Sequence, residues 1–473
     1  MTTSPSRRTF LSAAAVGAAA VPLAAAAPAI ASTPAPRTSG PGRPSHPQRP
    51  DRALRELLRE VDRHRIEATI QGLTSFGTRH TLSSQDDPKR GIGAARDWLF
   101  ARFQEIAATS GGRMTVEKQS FVQPPASRIP TPTVITNVIA TLRGTTDPGR
   151  VYVVTGHYDS RVTDVMNFTS DAPGADDDGS GVAAVLELAR LFANRPTEAT
   201  VVFAAVAGEE QGLYGSAFMA RQLKAAGTDI QGMFSNDIVG TGDAHDGSSS
   251  DPHTLRLFVE GVPTSETPAQ TATRQSVGGE NDGPSRQLAR FVADVADNDD
   301  TDMRVRVIWR RDRYLRGSDH ISFLQQGYPA GRFTEPRENF AHEHQDTRVE
   351  NGVQFGDLIE FCDFRYIARV TRVNAAALYS LANGPGTPKG VGIDTTQLTN
   401  LSTLSWQRGT DADLAGYEVV WRETTAPEWT HVIGVGDVTS ATIDLAKDNV
   451  QFGVRAVDRA GHRSPVGFPV PLT

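Results

Sequence analysis

Cysteine is almost absent from this chain: its 473 residues include one, Cys362. No intrachain disulfide is available, so the fold has to rest on its core and on any metal it binds. Cys362 lies in FGDLIEFCDFRYIARV, a helical-looking stretch in which a buried, inert thiol is the natural reading. Beyond the N-terminal region no run reaches the ~18 apolar residues of a spanning helix, so no stable membrane span is expected. There is no basic excess either. The formal net charge is -7 and no basic run stands out, which argues against nucleic acid as a partner. Two catalytic signatures are also missing. Neither a G-x-S-x-G elbow nor an H-E-x-x-H helix occurs, which removes the α/β-hydrolase and zincin mechanisms.

The composition is that of a globular protein, 38% hydrophobic and 22% charged, with enough residues for a large core and more than one domain. Arg7-Arg8 precedes an Ala-rich apolar run from Leu11 to Ala27, and Ala29-Ile30-Ala31 is a small-x-small cleavage site. Residues 1–31 therefore read as a twin-arginine-type export signal, with an ordinary secretory signal or an uncut anchor as the alternatives. The expected location is secreted or extracytoplasmic. Residues 32–50, rich in Pro, Ser and Gly, read as a flexible linker with no fold of its own.

From Asp51 onward, Leu54, Leu57, Leu58 and Val61 recur at helical spacing, and a second helix is expected over Ile92–Ile106. Strands and helices then alternate. Strands are predicted at 150–155, 200–206, 233–238, 304–309 and 330–333, with helices at 179–193, 215–226 and 319–326 and a long one over 353–381. Thr200–Val206 is continuously apolar, as buried parallel strands are. This pattern defines an α/β domain over 51–383, a mixed and mostly parallel sheet flanked by helices. Residues 243–300 read as an insertion or a rim of loops with one helical piece over 285–295. After the break Asn383-Gly384-Pro385-Gly386, residues 388–473 show only short alternating segments, the signature of a small all-β sandwich.

Acids and histidines fall at the strand ends. His157 and Asp159 follow the first strand of the alternation, Glu209 and Glu210 the second, and Asp237 ends the third. Three consecutive acids, Asp176, Asp177 and Asp178, sit between glycines immediately before a helix. Ligands of open α/β sheets bind at the carboxyl ends of strands, so these segments converge on one edge. Such a carboxylate cluster repels itself unless a cation joins it, and His with carboxylate donors suits zinc. The second histidine has to come from later in the chain: His342, His344 or His320.

The ordered set TGHYDS, PGADDDGSG, AGEEQGLYGS, NDIVG, GSDHISF and HEHQDT resembles the co-catalytic di-zinc aminopeptidases of the zinc-exopeptidase clan. These include bacterial secreted leucine-type aminopeptidases and are related to glutamate carboxypeptidase II and the glutaminyl cyclases. The resemblance covers about residues 51–383. It implies two zinc ions per chain, His157 and Asp237 holding one, Glu210 and His342 the other, and Asp177 bridging. His342 is preferred over His344 because it stands four residues before Asp346-Thr347. The resemblance further implies Glu209 as general base, acting on a water activated by the zinc pair at the N-terminal peptide bond of peptides or proteins. Asp159 is expected to orient His157, and Asp178 to lie behind the ligands. The C-terminal region, with Trp406, Tyr417, Trp421 and VRAVDRAGHRSP, resembles a fibronectin type III domain, for which polysaccharide or cell-surface contact is conceivable.

One departure is visible. Several family members carry Tyr immediately before the final His, where this chain has Ala341, so Tyr314 or Arg316 is the candidate replacement for holding the oxyanion. Three alternatives stay open: a carboxypeptidase-like enzyme using Arg310, Arg311, Arg313 and Arg316, a one-zinc glutaminyl cyclase, and an inactive binding protein.

Overall fold

The computed structural model describes residues 41–243 and 250–472, which form one compact unit. The export signal proposed for residues 1–31 lies outside the described residues. The centre of the unit is an eight-stranded sheet. Its strands are β1 (Met114–Gln123), β2 (Thr133–Leu142), β3 (Asp147–His157), β4 (Ala199–Val206), β5 (Asp229–Asn236), β6 (Thr254–Val259), β7 (Arg304–Ile308) and β8 (Ala330–Thr334). They lie in the order β1-β2-β4-β3-β5-β8-β6-β7. β4, β3, β5 and β8 are mutually parallel, and antiparallel pairings flank them on both sides. The expected fold class is therefore present. β4, ATVVFAAV, is buried at every position because helices cover both of its faces.

Around the sheet lie α1 (Arg52–Arg59), α2 (Arg63–Thr74), α3 (Ile92–Ala108), α4 (Gly179–Ala193), α5 (Tyr214–Ala225), α6 (Pro268–Ser276), α7 (Pro284–Ala296), α8 (His320–Leu324) and α9 (Phe364–Asn383). One core packs α1–α4, α7 and α9 on one face, through residues such as Leu57, Ile70, Leu99, Val185, Val292 and Leu378. The other face packs Met219 of α5 and Phe323 of α8 on Val153, Val202 and Met233. α4 starts where the site will be built. Asp178 caps it by accepting from the Gly181 N–H. A Cβ on Gly156 would lie 2.6 Å from the Gly181 carbonyl carbon, so glycine is what lets the end of β3 approach the start of α4.

Four expectations need correction. The long helix over 353–381 begins only at Phe364. Gly352 and Gly356 adopt left-handed φ values of 79° and 112°, a hairpin pairs Arg348–Glu350 with Val353–Phe355, and Asp363 then caps α9 by accepting from the Arg365 N–H. Region 243–300 is more than loops: β6 lies inside the sheet, paired with β7 and β8, and α6 and α7 follow it. Strands β1 and β2, at one end of the sheet, were not anticipated at all. The fourth correction concerns the linker. Its described part is anchored, because Arg43–Pro44 pairs with His431–Val432, the Trp421 indole donates to the Pro41 carbonyl at 2.8 Å, and Arg463 donates to the His46 carbonyl at 2.8 Å.

Residues 392–472 form two small sheets. One carries Leu414–Glu423, His431–Gly436 and Val450–Asp458, and the other Gly392–Asp394, Ser402–Ser405, Ser440–Ile443 and Val470–Leu472. Leu404 and Trp406 from one side pack with Tyr417, Val419, Phe452 and Val454 from the other. This β unit is fixed to the α/β part. Arg422 and Asp282 meet at 2.6 Å with side chains no more than 2% exposed, and the Trp429 indole donates to Gln287 at 3.0 Å.

Candidate metal centre

The carboxyl ends of β3, β4 and β5 deliver their acids and imidazole to one place, as the strand-end pattern implied. His157 closes β3. Its backbone N–H donates to Asp178 at 2.8 Å, and its Nδ1 lies 3.1 Å from the Asp159 carbonyl oxygen. That leaves Nε2 facing Asp177 Oδ1 at 3.1 Å and Asp237 Oδ1 at 3.9 Å. The opposite oxygen of Asp177, Oδ2, lies 2.8 Å from His344 Nε2, which is also 3.0 Å from Glu210 Oε1. Asp177 thus stands between two imidazoles, one on each oxygen.

The predicted histidine is replaced. His342 stacks its ring on Phe361, with centroids 3.6 Å apart and planes 11° apart, and takes no place in this cluster. The cause is a tight turn: the Asn339 carbonyl accepts from the N–H groups of both His342 and Glu343. His344 then adopts a left-handed φ of 55°. Counting back four residues from Asp346 assumed a regular approach that this turn does not provide. His320 is also elsewhere, buried with Nε2 at 2.8 Å from the Arg311 carbonyl.

The supporting residues are placed as follows. Asp159 accepts from the backbone N–H groups of Glu209 and Glu210 at 3.3 and 3.1 Å and from Thr81 Oγ1 at 3.1 Å, so it holds the loop as well as the His157 ring. Asp178 is wholly buried as the cap of α4. Tyr314 is 79% exposed and takes a hydrogen bond from Arg310, away from the cluster, so it is not the oxyanion donor. Arg316 reaches the cavity but pairs with Glu338 and Glu343. Three further residues escaped sequence reasoning. Asp357 accepts from the N–H groups of Asp176 and Asp177, each at 2.8 Å. Arg332, fully buried, donates to the Asp237 carbonyl and meets its Oδ1, both at 3.1 Å. Arg79, also fully buried, binds the carbonyls of Tyr158 and Gly174 at 2.7 and 2.8 Å and braces the loop before Asp177. Nothing local in the sequence marks them, because each acts across a long separation.

The electrostatics call for a cation. Burial opposes charge on His157, yet Asp159, Asp177 and Asp237 hold its pKa well above the ordinary value. Asp237 is kept low against burial, chiefly by Arg332 and His157. Glu209 is buried among acidic neighbours, with the His157 charge acting against them. Burial, with Asp237, Glu210 and Asp319 nearby, drives its carboxyl well above the usual range. Glu210 Oε1 is buried and faces His344 Nε2 at 3.0 Å, and donor atoms of His157, Asp177 and Asp237 lie within 4.8 Å of one another. Two imidazoles and three carboxylates gathered in this way are a donor set that fits zinc. The cluster forms the floor of an open cavity of about 550 Å³, which Arg128, Arg161, Glu209 and Glu343 also line and at which Leu315 and Phe340 stand.

A fold of helices on both faces of a mixed sheet, with a His–carboxylate cluster at its strand ends, defines a metallohydrolase scaffold. The description Peptidase family M28 matches residues 137–350, the span that contains every residue of the cluster. A probable zinc metalloprotease of Pyrenophora tritici-repentis is 54% identical over 423 residues, covering 89% of this chain and 87% of that protein. Another, of Pyricularia oryzae, is 55% identical over 427 residues, covering 89% and 85%. A solved structure of Legionella pneumophila LapA is 19% identical with a TM-score of 0.50, covering 70% of this chain and 76% of that one, and it shares the fold. A glutaminyl cyclase of Porphyromonas gingivalis gives 18% identity and a TM-score of 0.45, covering 67% and 97%. The chain belongs to peptidase family M28 and is a zinc metalloprotease.

Proposed function

We propose that this chain is an aminopeptidase that binds two zinc ions and removes residues from the free N-termini of peptides. One observation carries the reading: Asp177 presents its two oxygens to two separate imidazoles, His157 and His344, each with a further carboxylate beside it. His157, Asp177 and Asp237 would hold one ion, and Asp177, Glu210 and His344 the other. Bound zinc would polarise the scissile carbonyl and acidify a water molecule. Glu209, raised in pKa and facing the cavity, would take the proton from the attacking water and return it to the leaving amine. Asp159, whose carbonyl oxygen meets Nδ1, would hold His157 in the tautomer that turns Nε2 to the centre, and Asp178 would fix the His157 backbone through its N–H.

The carboxypeptidase-like alternative asks for free arginines. Arg313 and Arg316 do line the cavity, but Glu338 meets both, at 2.7 and 3.0 Å. A one-zinc cyclase leaves one side of Asp177 without a purpose, and an inactive scaffold has no use for a complete ligand set. The exposed Leu315 and Phe340 at the cavity suit apolar substrate side chains. Export through the N-terminal twin-arginine segment, and a fibronectin-like character for the β unit with a surface-binding or spacer role, belong to the same proposal.

The test is zinc content per chain together with a panel of aminoacyl p-nitroanilides, with and without an acetylated amine. Two zinc ions and activity confined to free amines are the expected result. One zinc with pyroglutamate formed from a Gln-peptide would replace this reading with cyclisation.

A further inference from the structure

The geometry points to Glu343 as the residue that takes the free α-ammonium group of the substrate, an assignment that rests on the aminopeptidase reading. Glu343 immediately precedes His344 in the chain. Once His344 stands at the centre, the residue in front of that histidine is a carboxylate and not Ala341. Its side chain is only 5% exposed, yet it lines the cavity. One of its oxygens lies within 4.8 Å of donor atoms of Asp177 and His344.

The two oxygens have different surroundings. Oε1 pairs with Arg316 and lies 3.9 Å from Arg313. Oε2 is buried with no hydrogen-bond partner. A buried, unpaired carboxylate oxygen is costly and calls for a donor. Oε1, the oxygen that Arg316 holds, lies 3.7 Å from His344 Nδ1, whereas Asp177 and Glu210 gather around Nε2, at the far edge of that ring, at 2.8 and 3.0 Å.

An ammonium group fits the position. In an unblocked peptide the α-nitrogen and the scissile carbonyl carbon are joined through one Cα and lie about 2.5 Å apart. Whatever reads the free amine must therefore stand beside the reacting centre. A charged donor to Glu343 Oε2 satisfies the orphaned oxygen and places the first peptide bond over the cluster. An acetylated amine has no charge to offer. A longer N-terminal extension lacks that charge at the same place, so Glu343 separates exopeptidase from endopeptidase action.

The experiment compares wild type, Glu343→Gln and Glu343→Asp, each loaded with zinc and assayed for metal content and melting temperature. Kinetics are measured on leucyl p-nitroanilide, and calorimetry follows binding of leucinol and N-acetyl-leucinol. Wild type is expected to prefer leucinol. Glu343→Gln keeps its zinc and most of its kcat, but its KM rises about 10- to 100-fold, the range for a charge-assisted hydrogen bond, and its amine preference disappears. Glu343→Asp retains the preference with weaker affinity and so separates lost charge from lost packing. A Gln variant with wild-type KM and amine preference overturns the assignment while leaving the aminopeptidase reading intact. Loss of zinc in that variant overturns it too, by making Glu343 a ligand. Wild type that hydrolyses acetylated and free substrates alike removes the aminopeptidase reading, and the assignment with it.

Discussion

The His344 imidazole stands 2.8 Å from the Asp177 carboxylate, while His342, two residues earlier, lies flat on Phe361. The two histidines should therefore respond oppositely to mutation. His344→Ala removes one of the donors to the centre and is expected to reduce activity by more than about 100-fold, past the range for residues that only orient a ligand. His342→Ala should keep zinc content and kcat and lower the melting temperature by about 1 to 4 °C, the scale of one aromatic pair in a chain of this size. Metal analysis and calorimetry on both variants decide it. Zinc loss in His342→Ala with full zinc in His344→Ala would restore the spacing argument.

Glu209 and Asp159 offer a second contrast. Glu209 faces the cavity but has no place among the donor atoms, so Glu209→Gln should bind zinc normally and lose about 10²- to 10⁴-fold in kcat. Asp159 fastens the Glu209–Glu210 backbone and the His157 ring, so Asp159→Ala should weaken zinc by about 10- to 100-fold. Competition with a chelator reads the two effects separately. Equal chelator sensitivity in both variants would count against this division of roles.

The parts of this site legible in the sequence were those delivered by regular elements. β3, β4 and β5 are neighbouring parallel strands, so the residues at or just past their carboxyl ends, His157, Glu210 and Asp237, must meet at one edge. His344 comes from an irregular loop whose direction depends on one left-handed residue, and residue spacing cannot express that. Asp357, Arg332 and Arg79 make hydrogen bonds to backbone groups and carboxylates up to 181 positions away, with no local pattern to reveal them. β6 hid for a different reason: TLRLFV is a good strand set in polar, glycine-rich surroundings, and only its neighbours β7 and β8 make it part of the sheet.

The join between the two parts of the molecule can be tested through charge. Asp282 is wholly buried at its side chain and meets Arg422 at 2.6 Å and Arg290 at 3.3 Å. Removing it leaves two buried guanidinium groups without their carboxylate, and Asp282→Ala is expected to cost about 3 to 5 kcal/mol. Arg422→Met leaves Asp282 paired with Arg290 and should cost clearly less. Denaturant unfolding of the zinc-loaded protein gives both values, and equal losses would mean that the pair does not act as a shared network.

His462 provides a pH test remote from the metal cluster. Its Nδ1 lies 2.8 Å from Asp458 and its Nε2 3.2 Å from Asp51, the cap of α1, so it clamps the β unit to the first helix. The hydrogen bond with Asp458 is the main reason its pKa is pushed up to about 9 from an ordinary 6.5. A histidine that binds its proton more tightly when folded contributes stability that is complete below about 6.5 and is lost as pH rises through about 9. Asp458 is held low by the same bond, against its burial, so its share fades only in acid. The ring is partly exposed, which screens the pair and keeps the effect modest. His462→Gln should therefore melt below wild type at pH 6, with the gap narrowing by pH 8 and nearly closing at pH 10. Scanning calorimetry with zinc present follows this directly, and a gap that stays constant over that interval would show that packing alone, without the proton, accounts for the clamp.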